Sequence, residues 1–332
     1  MAPRGFSRRD LALMHRAARL YHLDDLNQAA IAERLSVSRP TVSRLLAEAR
    51  RVGIVRITVH DPDTLNSGGD EAARLADALG IEKVWLAPFA ANPLGPVLAE
   101  PVAEALREAA LAPGDVLLVS SGRTVWEISH EALPAFPGCE IVPTVGGVAE
   151  PEAWHQTNEI TRALAERMQA HPHFLFTQAM PSPAMRRTLA EDPEFRRVTG
   201  FWGSAQAALV GVGAPPAGRS SISTSVPLDD EGLRAGVGDV CLNFYRADGG
   251  EIEFPGSDRM VRISPEELRK VPRTIAVAVG TEKVPSIVGG ARAGLFNRLV
   301  TDPPTAQALS DALGRRDRAA QGRPAEPEPL TR

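Results

Sequence analysis

The stretch LNQAAIAERLSVSRPTVSRLLAEARRVG, residues 26–53, decides the fold of the N-terminal part of this chain. Asn27 is suited to cap a helix that reads QAAIAERL, in which apolar side chains recur at helical spacing. Ser36-Val37-Ser38 interrupts that helix. Ser38 is then a natural cap for a second helix, Pro40 fits its first turn, and the final glycine of the stretch stops it. The stretch therefore predicts two short helices joined by a tight turn.

A third helix precedes these two. Residues 10–23, DLALMHRAARLYHL, place Leu11, Met14, Ala18 and Tyr21 at helical spacing on one face. In the two following helices, the residues predicted to face inward are Ile31, Ala32, Leu35, Val42, Leu45 and Leu46. Residues 54–60, IVRITVH, alternate apolar and polar side chains and predict a short strand, either a wing or the start of a connection. Residues 1–60 are thus predicted to be an all-α, winged helix-turn-helix domain.

Polar and basic side chains lie near the start of the second helix of the motif. A helix-turn-helix presents this end to base edges in the major groove, where an arginine can make a bidentate contact with guanine. The candidates for this role are Arg39, Thr41, Ser43 and Arg44. Gln28 and Ser38 suit contacts with phosphates. The alternative is a three-helix bundle with a basic, solvated face.

Charge is distributed unevenly along the 332 residues. Residues 1–60 hold 11 arginines and 5 acidic residues, a net of +6, which leaves −10 for the rest of a chain whose net charge is −4. A basic module on an acidic body favours DNA binding by the N-terminal part. The sequence has no apolar run near the roughly 20 residues that cross a bilayer and no signal-peptide pattern. We therefore expect a cytoplasmic protein with no membrane partner.

The sequence changes character after residue 60. Residues 61–70 are rich in Gly, Asp, Pro and Ser and predict a linker. Residues 71–314 alternate apolar runs with helical patterns, which predicts an α/β domain with a mostly parallel, doubly wound sheet. The strand candidates are KVWLAPF, DVLLVSS, EIVPTV, HFLFTQA, AALVGVG, DVCLNFY, RTIAVAV and NRLVTD. Residues 315–332 have almost no apolar content and predict a disordered tail.

Loops that follow the strands are the candidate ligand-binding segments, because such sheets bind ligands at the carboxyl ends of their strands. Ser121-Gly122-Arg123-Thr124 ends a strand and opens a helix, so backbone N–H groups, a hydroxyl and a guanidinium converge there. This predicts an anion-binding site. A tight turn with Thr124 as a helix cap is the alternative.

Three further loops carry candidates. Gly146-Gly147 permits close approach of a ligand, or forms an ordinary turn. Lys283, one of only three lysines, follows Gly280 at a helix start and is either an anion ligand or a solvated charge. Asp258-Arg259 follows a glycine-containing turn, and Arg259 is either a second phosphate ligand or a surface charge. Cys139 and Cys241 lack metal-ligand spacing, so we expect buried thiols and no metal or cofactor.

Taken in order, these segments resemble the SorC family of bacterial sugar-responsive transcriptional regulators. The resemblance covers nearly the whole chain. It rests on the helix-turn-helix stretch followed by SSGRT, VPTVGGV, TNEITRALAE, AALVGVGAP, GVGDVCLNFYRADGGEI, SDRMVRIS and GTEKVPSIVGGARAGLFNRLVTD. It implies a C-terminal domain akin to the sugar-phosphate isomerases that has lost catalysis and binds a phosphorylated sugar to alter DNA affinity.

The resemblance also implies roles for individual residues. Gly122, Arg123 and Thr124 would hold the effector, and Gly146 and Gly147 would line its site. Asn158 and Glu159 would meet sugar hydroxyls, and Lys283 would meet a phosphate.

We therefore expect a non-enzymatic regulator of carbohydrate metabolism that binds double-stranded operator DNA and a phosphorylated sugar. Helix-turn-helix proteins read paired half-sites, so a homo-oligomer is expected, either a dimer or a tetramer. The alternative is a sugar-phosphate isomerase-like enzyme with an accessory DNA-binding part. Such an enzyme needs a carboxylate or histidine base. Asp239, Asp258 and Glu159 are the available carboxylates, and none of the four loops contains a histidine.

Overall fold

The computed structural model describes residues 8–22, 24, 26–52, 54–55, 62–148, 150, 152–216, 226–227 and 229–321. The chain divides into two compact units, Met1–Asp61 and Pro62–Arg332. The predicted wing over residues 54–60 lies outside the described residues, apart from Ile54 and Val55.

The described residues of the first unit form three helices: α1 Arg8–His22, α2 Gln28–Leu35 and α3 Arg39–Arg51. Both predicted caps are present. The Asn27 side chain accepts hydrogen bonds from the N–H groups of Ala29 and Ala30, each at 3.0 Å. The Ser38 hydroxyl accepts from the Thr41 N–H at 3.3 Å. These bonds satisfy N–H groups that have no partner within the helix, so each helix begins where its cap stands.

Side chains from all three helices form the core of this unit. The predicted inward residues of α2 and α3 are buried, except Leu35, which packs against the core while partly exposed. The prediction for α1 was wrong in part, because Leu11 and Tyr21 are each 39% exposed. They lie in the first and last turns of α1. Met14, Ala17 and Ala18 are the buried residues of the middle turns.

The second unit alternates strands and helices. Its strands are β1 Lys83–Leu86, β2 Val116–Val119, β3 Glu140–Pro143, β4 His171–Pro172, β5 Ala207–Gly211, β6 Gly238–Val240, β7 Asn243–Tyr245, β8 Arg273–Val277 and β9 Arg298–Thr301. Its helices are α4 Pro62–Leu79, α5 Leu94–Ala109, α6 Arg123–Ile128, α7 Thr157–Met168, α8 Pro183–Glu191, α9 Pro193–Gly200, α10 Glu231–Arg234, α11 Pro265–Lys270, α12 Val284–Arg292 and α13 Pro303–Gln321.

Seven of these strands form one parallel sheet in the order β1-β9-β8-β5-β2-β3-β4. All four residues of β2 are buried, as expected for a central strand with both faces covered. Leu117 and Val119 pack into a core with α5, α6 and α7, whereas Val116 and Leu118 pack into a core with α4, α12 and α13. Alternate residues thus face opposite helical layers, which confirms the α/β prediction.

Two predicted strands differ in the structure. HFLFTQA does not form a strand, since β4 is limited to His171–Pro172. The Asn158 side-chain amide bonds both the N–H and the C=O of Leu175 at 3.1 Å, replacing a neighbouring strand as the partner of that backbone. DVCLNFY forms the antiparallel hairpin β6–β7 instead of one strand, because the chain turns at Cys241 and Leu242, whose φ angles are 53° and 60°.

Helix boundaries differ from the prediction at both ends of this unit. Helix α4 begins at Pro62, inside the predicted linker over residues 61–70. Proline is favourable in the first helical turn, and α4 is anchored by its buried residues Leu75 and Leu79. Helix α13 continues to Gln321, inside the predicted tail, because residues 315–321 contain good helix formers and neither Gly nor Pro. Residues 322–332 lie outside the described part of the chain.

Candidate functional site

The first candidate surface is the start of α3. Arg39, Ser43 and Arg44 are exposed, while Val42, Leu45 and Leu46 on the opposite side are buried. The Thr41 hydroxyl lies 2.8 Å from the Ser38 hydroxyl, so both groups take part in the helix cap. Gln28 is half-buried at the first residue of α2. Ser38, Arg39, Thr41, Ser43 and Arg44 therefore lie at the start of α3, whereas Gln28 lies at the start of α2.

The second candidate site is a pocket of about 350 Å³ in the second unit. Its walls come from the loops after β2, β5 and β8, together with the β6–β7 hairpin and a 3₁₀ turn, Ala153–His155. The lining residues are Ser121, Gly122, Arg123, Thr124, Val148, Glu152, Trp154, His155, Gly211, Val212, Gly213, Ala214, Asp239, Cys241, Leu242 and Lys283. The pocket therefore lies at the carboxyl ends of parallel strands, where α/β sheets bind ligands.

Hydrogen bonds of the Ser120 side chain and of the Gly122 backbone hold the loop after β2 in place. The Ser120 hydroxyl accepts from the Gly211 N–H and donates to the Ser121 C=O, each at 2.9 Å, so it joins the ends of β2 and β5. Gly122 has a φ of 128°, which favours glycine. Its N–H donates to the Trp154 C=O at 2.8 Å. This bond connects the loop after β2 to the 3₁₀ turn across the pocket wall.

Both signs of charge line the pocket. Arg123 and Lys283 are cationic, and Glu152 and Asp239 are carboxylates. The Arg123 side chain is exposed and donates from Nε to Glu127 at 2.9 Å. Cations favour a bound anion such as a phosphate, and carboxylates accept hydrogen bonds from hydroxyls. The lining thus suits a ligand that carries both an anionic group and hydroxyl groups.

The loop that carries Lys283 is tied to β9 and α13. The Gly280 N–H donates to the Thr305 hydroxyl at 2.8 Å, and that hydroxyl donates to the buried Asp302 carboxylate at 2.5 Å. The other oxygen of Asp302 accepts from the Ala91 N–H at 3.0 Å. Asp302 and Thr305 therefore fix the position of the loop although they do not line the pocket.

The β6–β7 turn forms a wall of the pocket in a strained conformation. Left-handed φ angles at Cys241 and Leu242 cost about 1–2 kcal/mol for each non-glycine residue. Two hydrogen bonds offset this conformational cost. The Asp239 carboxylate accepts a hydrogen bond from the Leu242 N–H at 3.0 Å, and the Arg262 guanidinium donates one to the Leu242 C=O. Burial lowers the pKa of Arg262 to about 10, and the negative charge of Asp239 opposes this shift.

Cys241 is a protonated thiol at neutral pH. Burial raises its pKa to about 12, and a hydrogen bond with Thr144 only partly offsets this effect. The thiolate is the reactive form of cysteine, so this side chain does not offer the pocket a nucleophile.

Five predicted effector-binding residues lie together in the pocket lining: Ser121, Gly122, Arg123, Thr124 and Lys283. Asp258 lies in a different cleft, which is lined in part by Trp202 and Ser264. Arg259 donates from Nε to the Pro181 C=O at 2.9 Å. The structure thus places the Gly256–Arg259 loop apart from the pocket lining.

The remaining predicted residues also lie outside the lining. Gly146 and Gly147 border the backbone of Thr177 and Gln178, and the Gly147 N–H donates to the Thr177 C=O at 2.8 Å. Asn158 is engaged with the Leu175 backbone, as described above. Glu159 is exposed on α7, 3.7 Å from Arg162. The structure therefore does not bring these four residues together with the lining residues.

Sequence reasoning missed several lining residues. Asp239, Cys241 and Leu242 fall in a segment that was interpreted as one buried strand, so the turn was not recognised. Trp154 and His155 were not among the predicted site residues, because a three-residue 3₁₀ turn has no periodicity to detect. The glycines in AALVGVGAP were the available sign that the chain after β5 approaches a ligand.

Within the part of the chain that the structure describes, no helix is both long and apolar enough to span a bilayer. Among the same residues, no three His, Cys, Asp or Glu side chains are grouped to bind a metal ion.

Each of the two units matches a known protein family. Residues 7–67 match the Crp-like helix-turn-helix domain, and residues 69–310 match a sugar-binding domain family. The chain is 29% identical over 318 residues to the sorbitol operon regulator of Klebsiella pneumoniae, covering 90% of this chain and 98% of that protein. It is 31% identical over 311 residues to the deoxyribonucleoside regulator of Bacillus subtilis (strain 168), covering 90% and 96%.

A solved structure extends this likeness to the fold. The crystal structure of the full-length sorbitol operon regulator SorC from Klebsiella pneumoniae matches with a TM-score of 0.73 at 30% identity, covering 90% of this chain and 98% of that one. The relatives named here are regulators, and both parts of the chain match families that fit this role. The chain therefore belongs to the SorC family of sugar-binding transcriptional regulators.

Proposed function

We propose that this protein binds operator DNA through α3 and that a phosphorylated sugar in the pocket sets its affinity for that DNA. The observation that carries the proposal is the placement of Arg123 and Lys283 in one pocket with Glu152 and Asp239. The cations suit a phosphate and the carboxylates suit sugar hydroxyls. At about 350 Å³, the pocket lies near the lower end of the range for small-molecule sites, so it suits one sugar unit.

The DNA-binding part of the proposal assigns base contacts to Arg39, Thr41, Ser43 and Arg44, and phosphate contacts to Gln28 and Ser38. Exposure of Arg39, Ser43 and Arg44 on α3 supports the first group. The protein acts in the cytoplasm as a homo-oligomer, a dimer or a tetramer, because paired half-sites require symmetry-related α3 helices.

Regulation requires that the effector bind the DNA-competent and DNA-incompetent states with different affinities. A tenfold change in operator affinity corresponds to a coupling free energy of about 1.4 kcal/mol. A pocket whose walls come from separate loops suits this role, because a ligand that bridges the loops after β2 and β8 favours one arrangement of them.

The proposal is tested by fluorescence anisotropy with the full-length protein and labelled DNA from upstream of its own gene. We expect a sugar phosphate from a panel of pentose, hexose and alditol phosphates to change the DNA affinity at least tenfold, while its unphosphorylated counterpart has little effect. Arg123→Ala and Lys283→Met should reduce this response without changing DNA affinity in the absence of sugar. Arg259→Ala is the matched control, because Arg259 does not line the pocket. Equal responses to both forms of the sugar would contradict the proposal.

An isomerase-like activity is the second candidate, favoured by His155 and Asp239 in the pocket lining. We infer that the protein does not catalyse a reaction, because the relatives that match 90% of the chain are named as regulators. Incubating the protein with the same sugar phosphates and following product by NMR tests this inference. Turnover that is lost in His155→Gln would establish the enzyme instead.

A further inference from the structure

Trp154 brings the largest aromatic side chain to the pocket lining. It is half-buried in the 3₁₀ turn Ala153–His155 and lines the pocket. Its backbone C=O accepts the Gly122 N–H at 2.8 Å. The position of its backbone is therefore tied to the loop that carries Arg123.

A second tryptophan supports the Trp154 indole. The rings of Trp126 and Trp154 meet edge to face, with centroids 6.1 Å apart and an interplanar angle of 72°. Trp126 itself packs against His130, with ring centroids 4.6 Å apart. Edge-to-face packing restricts ring orientation, so Trp154 is held in place before a ligand arrives.

Arg123 lies next to this ring. Its guanidinium carbon lies over the Trp154 ring, 6.0 Å from the ring centroid, which is a cation–π contact. A phosphate paired with Arg123 would place the carbon skeleton of the same ligand beside the indole. The face of an aromatic ring is electronegative and apolar, so it attracts the slightly positive C–H groups on the flat side of a sugar ring.

We propose that Trp154 is a stacking platform for the ring of a cyclic sugar monophosphate, and that it makes the pocket prefer this ring over an acyclic alditol phosphate of equal carbon number. The inference rests on the proposed function, since it assigns the class of effector. A ring presents several C–H groups in one plane at no conformational cost. An acyclic chain must give up the freedom of several bonds to present the same surface.

The test compares compounds of equal carbon number with and without a ring. Isothermal titration calorimetry compares glucose 6-phosphate, 1,5-anhydroglucitol 6-phosphate and glucitol 6-phosphate, followed by ribose 5-phosphate and ribitol 5-phosphate. The anhydro compound has a ring that cannot open, so it separates stacking from reaction of an open-chain aldehyde. We expect wild-type protein to bind the ring member of at least one set about tenfold more tightly than its alditol.

Binding is measured for four proteins: the wild type, Trp154→Ala, Trp154→Phe and the control Trp126→Phe. Trp154→Ala should weaken binding of the ring compound about tenfold, or 1.4 kcal/mol, and binding of the alditol less than twofold. Trp154→Phe retains an aromatic face and should recover most of the affinity. The change in tryptophan fluorescence on binding should persist in Trp126→Phe and disappear in Trp154→Phe. Circular dichroism verifies that each variant is folded.

The outcomes separate this inference from the proposed function. The stacking role is wrong if the wild-type protein binds the alditol phosphate as tightly as the ring compound. It is also wrong if each Trp154 variant weakens the binding of the ring compound and of the alditol by the same factor. The proposed function survives that result provided that a bound sugar phosphate changes DNA affinity. If no phosphate in the panel binds, both are overturned.

Discussion

Replacing Gly146 by alanine should destabilise the second unit, although the sequence motif assigns this glycine to ligand binding. A Cβ built on Gly146 would lie 2.9 Å from three backbone atoms of Thr177 and Gln178. Ordinary van der Waals contact begins near 3.4 Å, and these atoms belong to main chain that cannot rotate away. Overpacking of this kind costs about 1–3 kcal/mol. For a domain of this size, the expected decrease in Tm is about 2–10 °C.

Gly147→Ala is the matched control. A Cβ added to Gly147 would lie 3.6 Å from the carbonyl oxygen of Thr177, which is an ordinary van der Waals contact. Neither glycine has a left-handed φ. The alanine also reduces the freedom of the unfolded chain, which stabilises by about 0.4–1 kcal/mol where the site tolerates it. We therefore expect Gly147→Ala to be neutral or slightly stabilising.

Urea denaturation followed by circular dichroism measures both variants, and titration with a sugar phosphate that binds the wild type measures their affinity. Equal stability of the two variants would refute the steric argument. A Gly146→Ala protein of normal stability that no longer binds the sugar phosphate would instead show that the glycine accommodates the ligand.

The structure supports predictions at four further residues. Ser38→Ala removes the cap of α3 and should cost about 1 kcal/mol of stability in the first unit, seen as a lower Tm, with weaker DNA binding. Arg44→Ala should relax base preference on operator DNA, whereas equal loss on random DNA would make Arg44 a phosphate contact. Cys241 should resist alkylation at pH 8 in folded protein and react after denaturation. Because its pKa is raised to about 12, the free energy of unfolding should fall as pH rises from about 9 toward 12, and Cys241→Ala should lessen this fall. Thr305→Val removes the acceptor of the Gly280 N–H and should weaken sugar phosphate binding several-fold in calorimetry, while Thr305→Ser should not.

Short-range patterns predicted the helix-turn-helix well. Asn27 and Ser38 cap α2 and α3 because a side-chain oxygen satisfies N–H groups two or three residues ahead, an interaction that needs no distant partner. The apolar runs predicted most strands of the sheet for a related reason, since a strand buried on both faces must be apolar throughout.

Short-range patterns do not reveal a residue's partner when that partner lies far along the chain. The resemblance implies that Asn158 meets sugar hydroxyls, and in the structure its amide bonds the Leu175 backbone, 17 residues away. Asp239 was absent from the predicted site because nothing local marks a turn at Cys241 and Leu242, neither of which favours a left-handed φ.

The sequence by itself determined the caps, the alternation of strands and helices, and the basic N-terminal part, because each depends on neighbours within a few residues or on composition. Only the tertiary structure decided which loop residues share a pocket. Parallel strands bring chain segments such as Arg123, Trp154 and Lys283 together at their carboxyl ends. The order in which the strands pair is set by packing across the whole sheet, so spacing along the sequence cannot reveal it.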